Sequence, residues 1–153
     1  MTLTHSLRGF SDAAEFIRKS AEAGWQRLRA TNTFGSDSAL YSELASVWDD
    51  CQEPNWDGYQ ARPVDPDALR NTYQLLELLP LGFPAPSIGA EPDGHLTLEW
   101  HRSPRRTLSV SVDGDGNLHY AALLGPNRAY GTEAFFGEFP DTIRDLVWKV
   151  YSA

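Results

Sequence analysis

The chain has 153 residues, of which 41% are apolar and 12% aromatic, enough for one domain with a core of its own and too apolar for a generally disordered chain. Its 13 Lys and Arg stand against 21 Asp and Glu, a formal net charge of −8 that argues against a nucleic-acid binder, since phosphate backbones are held by Lys and Arg. A single cysteine, Cys51, removes the disulfide-scaffold class, and no run approaches the roughly 18 apolar residues of a membrane helix.

No segment joins a basic region to a short apolar run, so no leader peptide is expected, and the reducing cytoplasm is the expected compartment. Residues 1–10 read as a weakly ordered lead-in. A helical period begins near Ser11, with Phe16, Ile17, Ser20, Gly24 and Leu28 on one stripe. A break at 32–36 follows, and Asp37 or Ser38 can cap a second helix with Leu40, Tyr41, Leu44, Val47, Trp48 and Cys51 on its apolar face. Pro54 stops it.

Asp65-Pro66 is an N-cap followed by proline at the first helical position, opening a third helix to about Leu79 with Leu69, Tyr73, Leu76 and Leu79 inward. Residues 11–79 thus form a helical part. After a Pro- and Gly-rich connection, the period changes from 3.6 to 2. Leu96, Leu98 and Trp100, then Leu108, Val110 and Val112, then Leu118, Tyr120, Ala122 and Leu124 each form one apolar face. Short turns join these strands, predicting an antiparallel β-meander of four to five strands over 86–132, flanked by edge strands near 87–90 and 129–132. A C-terminal helix is predicted over 141–151, burying Ile143, Leu146, Val147, Val150 and Tyr151. The whole is expected to be one α+β domain with helices mainly on one face of the sheet.

Between the second and third helices lies Asn55-Trp56-Asp57-Gly58-Tyr59-Gln60-Ala61-Arg62-Pro63. Asp57-Gly58 is a turn dipeptide. The segment is either a loop pinned by its aromatics or a recognition loop presenting Trp56, Asp57 and Tyr59. Trp56-Asp57-Gly58-Tyr59-x-Ala61-x-Pro63, with Leu98-Glu99-Trp100 and Leu118-x-Tyr120 downstream, resembles small bacterial proteins that share a W-D-G-x-x-A-x-P element ahead of a β-meander. The resemblance covers residue 56 onward and implies a bacterial, mobile-element setting, with no activity attached.

Arg102, Arg105 and Arg106 concentrate basic charge at a predicted hairpin tip, as solvated turn residues or as an anion or partner contact; Arg128 belongs beside them if the tips adjoin. Asp113-Gly114-Asp115-Gly116-Asn117 starts like a calcium loop, but strands flank it and a hairpin turn is expected. His5, His95, His101 and His119 show no metal-ligand spacing, so neither a metal nor another cofactor is expected. Cys51 lies on an apolar stripe and reads as an inert thiol.

No phosphate loop, nucleophile elbow or dinucleotide fingerprint occurs, and no catalytic residue is assigned. The expectation is a non-enzymatic acidic protein that covers another protein, such as a basic toxin or nuclease, in the manner of an immunity protein, antitoxin or defence-system inhibitor. No direct nucleic-acid or membrane contact is expected, and the oligomeric state is open. Alternatives are a ligand-binding module or hydrolase-like enzyme with a cleft at the 56–59 loop, and a component that self-associates through a β-edge.

Overall fold

A computed structural model describes residues 35–152, with only the backbone of 35–38, so the lead-in and first helix expected over 1–29 lie outside the described residues. The described part contains helices α1 (Gly35–Cys51), α2 (Pro66–Glu77) and α3 (Asp141–Tyr151). Its strands are β1 (Ser87–Ala90), β2 (Leu96–Ser103), β3 (Arg106–Val112), β4 (Asn117–Leu124) and β5 (Asn127–Ala134), antiparallel in the order β1-β2-β3-β4-β5. This is the expected α+β meander. Among the described residues, no helix is long and apolar enough to cross a membrane.

Helix α1 begins at Gly35, so Asp37 and Ser38 fall inside its first turn and do not precede it. It ends at Cys51, whose carbonyl accepts the N–H of Val64 at 2.9 Å as the chain returns from the loop. At α2 the Asp65 carboxylate caps the Asp67 N–H at 2.8 Å, with Pro66 in the first turn, as the sequence indicates. Its buried stripe is Ala68, Leu69, Thr72, Leu75 and Leu76. Tyr73 and Leu79, expected inward, are only partly buried, and Leu79 lies beyond the helix, which ends at Glu77.

Period-2 alternation puts Leu96, Leu98, Trp100, Leu108, Val110, Val112, Leu118 and Ala122 on the inner face, all buried. Against them pack Leu44 and Trp48 of α1, Leu69 and Leu75 of α2, and Ile143, Val147 and Val150 of α3. Trp100 is fully buried and its indole N–H donates to the Pro84 carbonyl at 2.8 Å, so the large ring enters the core without an unmet donor. Cys51 is a buried member of this core; burial, then the Asp50 charge, pushes its thiol up and keeps it protonated.

The two sheet edges differ. On β1 the Glu43 carboxylate of α1 accepts the Ile88 N–H at 2.9 Å, covering that edge. Among the described residues β5 pairs only with β4, and it presents Tyr130 at 83% exposure. The two ends differ in charge as well. One end carries the β1–β2 and β3–β4 turns with Glu91, Asp93, Asp113 and Asp115. The other carries the β2–β3 and β4–β5 turns with Arg102, Arg105, Arg106 and Arg128.

Candidate functional site

The residues singled out in the sequence fall at both ends of the sheet. At the acidic end, residues 55–62 form a loop whose polar groups hold its own backbone. The Asp57 Oδ1 accepts the N–H groups of Tyr59 at 2.8 Å and Ala61 at 3.0 Å, and the Asn55 Oδ1 accepts that of Gln60 at 2.7 Å. The Trp56 indole N–H reaches across the loop to the Arg62 carbonyl at 2.8 Å. Asn55 and Gln60 both adopt left-handed conformations, φ 61° and 68°. Non-glycine residues seldom sit there without surrounding bonds to hold them. Ala61 is buried, Trp56 is half-buried, and Tyr59 is 88% exposed.

The loop is docked on the sheet. The Arg62 N–H donates to the Pro92 carbonyl at 2.8 Å and the Asp65 N–H to the Gly94 carbonyl at 2.9 Å. Gly94 has φ 94°, and a Cβ there would lie 3.1 Å from the Pro63 carbonyl oxygen, so only glycine lets turn and loop meet this closely. Asn71 of α2 donates to the Asp113 carbonyl at 3.0 Å, tying the β3–β4 turn to the same helix.

On the outer face, strand register lines up Thr97, Ser111, His119 and Thr132 in one row across four strands. The β1–β2 turn folds over it. The Glu91 carboxylate accepts the Thr97 hydroxyl at 2.5 Å and the Ser111 hydroxyl at 2.7 Å. The Nδ1 of His95 lies 3.2 Å from the Asp93 Oδ2 and 3.9 Å from the Glu91 Oε2. The His95 and His119 rings stack with centroids 6.3 Å apart at an interplanar angle of 15°. His119 stands between two partners, its Nε2 2.9 Å from the Asp113 Oδ2 and its Nδ1 3.0 Å from the Thr132 hydroxyl. Asp113 is buried, and its Oδ1 accepts the N–H groups of Asp115 and Asn117, each at 2.9 Å. The aspartate and glycine run is therefore a hairpin turn, as expected.

A serine triad needs serine and carboxylate on opposite ring nitrogens of one histidine. Ser111 and Asp93 both approach the Nδ1 of His95, at 3.5 and 3.2 Å, and the Ser111 hydroxyl donates to Glu91. No such relay is built there. The sequence missed Glu91, His95 and Asp113 as a group. A signal was present in the outward alternation of Thr97, Ser111 and His119, but the row exists only once the strands are in register.

At the basic end the four arginines divide. Arg102 donates from Nη1 to the carbonyls of Tyr151 at 2.7 Å and Ser152 at 2.9 Å, and Arg106 to that of Lys149 at 2.9 Å. Both cap the negative end of α3. The two hairpin tips do adjoin, since the Gly125 N–H donates to the Arg105 carbonyl at 2.8 Å, and Arg105 and Arg128 are exposed on these two tips.

A scan against protein-family models, a search of curated proteins and a search of solved structures each found no match to this chain.

Proposed function

We propose that the protein acts without catalysis, by binding a basic protein partner through the 55–62 loop and the acidic turn docked beside it. The observation that carries this reading is Tyr59, which projects into solvent from a loop whose other polar groups hold it in one conformation. Tyrosine is a frequent hot-spot residue, and an anchor fixed before contact loses little entropy on binding. Asp93 and Glu53 are exposed on the flanking segments, and the chain carries eight net negative charges, which suits a cationic partner. A toxin or nuclease face restrained by an immunity-type protein has that chemistry. The likeness of the same loop to the W-D-G-x-x-A-x-P element accords with a bacterial or phage setting.

The test is capture from a bacterial lysate at low salt with wild-type protein, Tyr59→Ala and Tyr130→Ala side by side. Support is a stoichiometric basic protein retained by wild type and Tyr130→Ala and lost with Tyr59→Ala, associating more slowly as salt rises. Equal retention by Tyr59→Ala ends the proposal.

The β5 edge favours a second reading, self-association. It offers eight residues with neither proline nor lysine, and its charges are confined to Arg128 and Glu133 near the two ends, away from the exposed Tyr130. Antiparallel pairing with a second copy would continue the sheet and bring the two Tyr130 rings to one face. A monomeric mass at high protein concentration sets this reading aside.

A further inference from the structure

We infer that Glu91, Asp93 and His95 form a binding site for a first-row divalent cation, with Zn²⁺ the best match to their donors. The inference does not depend on the partner proposed above, although Asp93 belongs to both surfaces.

The three side chains occupy alternate positions of one tight hairpin. The Glu91 N–H donates to the His95 carbonyl at 2.9 Å, and the Gly94 N–H to the Glu91 carbonyl at 3.0 Å. That turn brings one ligand atom from each residue to within 4.8 Å of the others. Tetrahedral Zn²⁺ with bonds of about 2.0–2.2 Å places neighbouring donors roughly 3.4 Å apart. The His95 Nδ1 lies 3.2 Å from the Asp93 Oδ2 and 3.9 Å from the Glu91 Oε2, on either side of that spacing.

The donor set decides the class of ion. One imidazole with two carboxylates suits zinc and its neighbours better than magnesium or calcium, which prefer oxygen alone. The surroundings are also those of a ligand set. Thr97 and Ser111 each donate a hydroxyl to a different oxygen of Glu91, fixing the carboxylate and leaving each oxygen a further lone pair. His119 lies stacked alongside His95, while its own nitrogens face Asp113 and Thr132 and are not counted as ligands. Asp93 is 56% exposed at its side chain, which gives an ion its path in and leaves coordination positions to water.

The test uses the full chain after dialysis against a chelator. Zn²⁺ is titrated by calorimetry, and Co²⁺ serves as a spectroscopic probe of ligand geometry. The inference expects one ion per chain and visible Co²⁺ ligand-field bands. Asp93→Asn and His95→Gln should each weaken binding at least about tenfold, in keeping with the roughly 10- to 100-fold typical of losing even an outer-shell partner. His101→Gln, a histidine 3.8 Å from Glu99 on the same sheet face, should leave affinity unchanged. Asp93→Asn alters an exposed side chain and keeps the test open if His95→Gln melts early without metal. Absence of binding by wild type, equal binding by Asp93→Asn, or a loss with His101→Gln as large as with His95→Gln overturns the site.

Discussion

His119 and Asp113, six residues apart around the β3–β4 turn, meet with Nε2 and Oδ2 separated by 2.9 Å, while the other oxygen of Asp113 holds the turn backbone. Burial pushes the Asp113 carboxyl up. The N–H of Asn117, the His119 ring, the Asn117 side chain and the N–H of Asp115 together outweigh that and leave it lowered. A carboxyl whose pKa is lowered by folding stabilises fully above its unfolded value, about 3.9, and loses that contribution as pH falls through the folded value. Asp113→Asn should therefore be less stable than wild type at pH 7, by about 1–3 kcal/mol. The gap should narrow below about pH 4. Urea unfolding of both proteins from pH 7 to pH 3 measures it, and a gap constant with pH would remove the carboxylate from the account.

The 55–62 loop separates two neighbouring residues sharply. Asp57→Ala leaves the Tyr59 and Ala61 N–H groups without their acceptor and should lower stability by about 1–3 kcal/mol. Tyr59→Ala removes an exposed ring and should stay within about 0.5 kcal/mol of wild type. Thermal or urea unfolding distinguishes them. A large loss in Tyr59→Ala would make the ring structural and undo its role as a preformed anchor.

Arg102 and Arg106 are expected to act on α3. Replacing both by alanine removes three charge-assisted bonds to the carbonyls of Lys149, Tyr151 and Ser152. Each such charge at a helix C-terminus contributes about 0.3–1 kcal/mol. Amide hydrogen exchange should quicken in the last turn of α3 while the inner strands keep their protection. Unchanged exchange there would mean that these bonds are not maintained in solution.

Gly131 lies opposite Tyr120 in the β4–β5 ladder, and a Cβ built on it would come within 2.6 Å of the Tyr120 hydroxyl oxygen. Gly131→Ala must displace a half-buried ring and should destabilise by about 1–3 kcal/mol. In a Tyr120→Leu background the same substitution should be neutral, because the obstructing atoms are gone. A double-mutant cycle by chemical unfolding reads the difference.

Much of this architecture is written in local pattern. The change of period from 3.6 to 2 after Pro80, the Asp65-Pro66 helix start and the turn residues between strands dictate α2, the meander and α3, because each depends on neighbours a few residues away. The Ser87–Ala90 edge strand and the 141–151 helix fall where the sequence puts them. Local pattern also marks residues 55–63 as an ordered turn, yet it gives Trp56, Asp57 and Tyr59 one shared role. The fold divides them: two hold the loop, and one faces solvent.

What only the tertiary structure decides is which distant side chains share a place. Strand register sets His119 beside Ser111 and Thr132, and the β1–β2 turn carries Glu91, Asp93 and His95 over that row. Register also turns Arg102 and Arg106 toward the end of a helix more than 40 residues away in the chain. A periodicity of two states which face a side chain takes; it says nothing about its neighbours on that face, since these are fixed by pairing between strands and by how turns pack. The elements were therefore legible from residues in sequence, and the sites came into being only when the sheet closed its ladders.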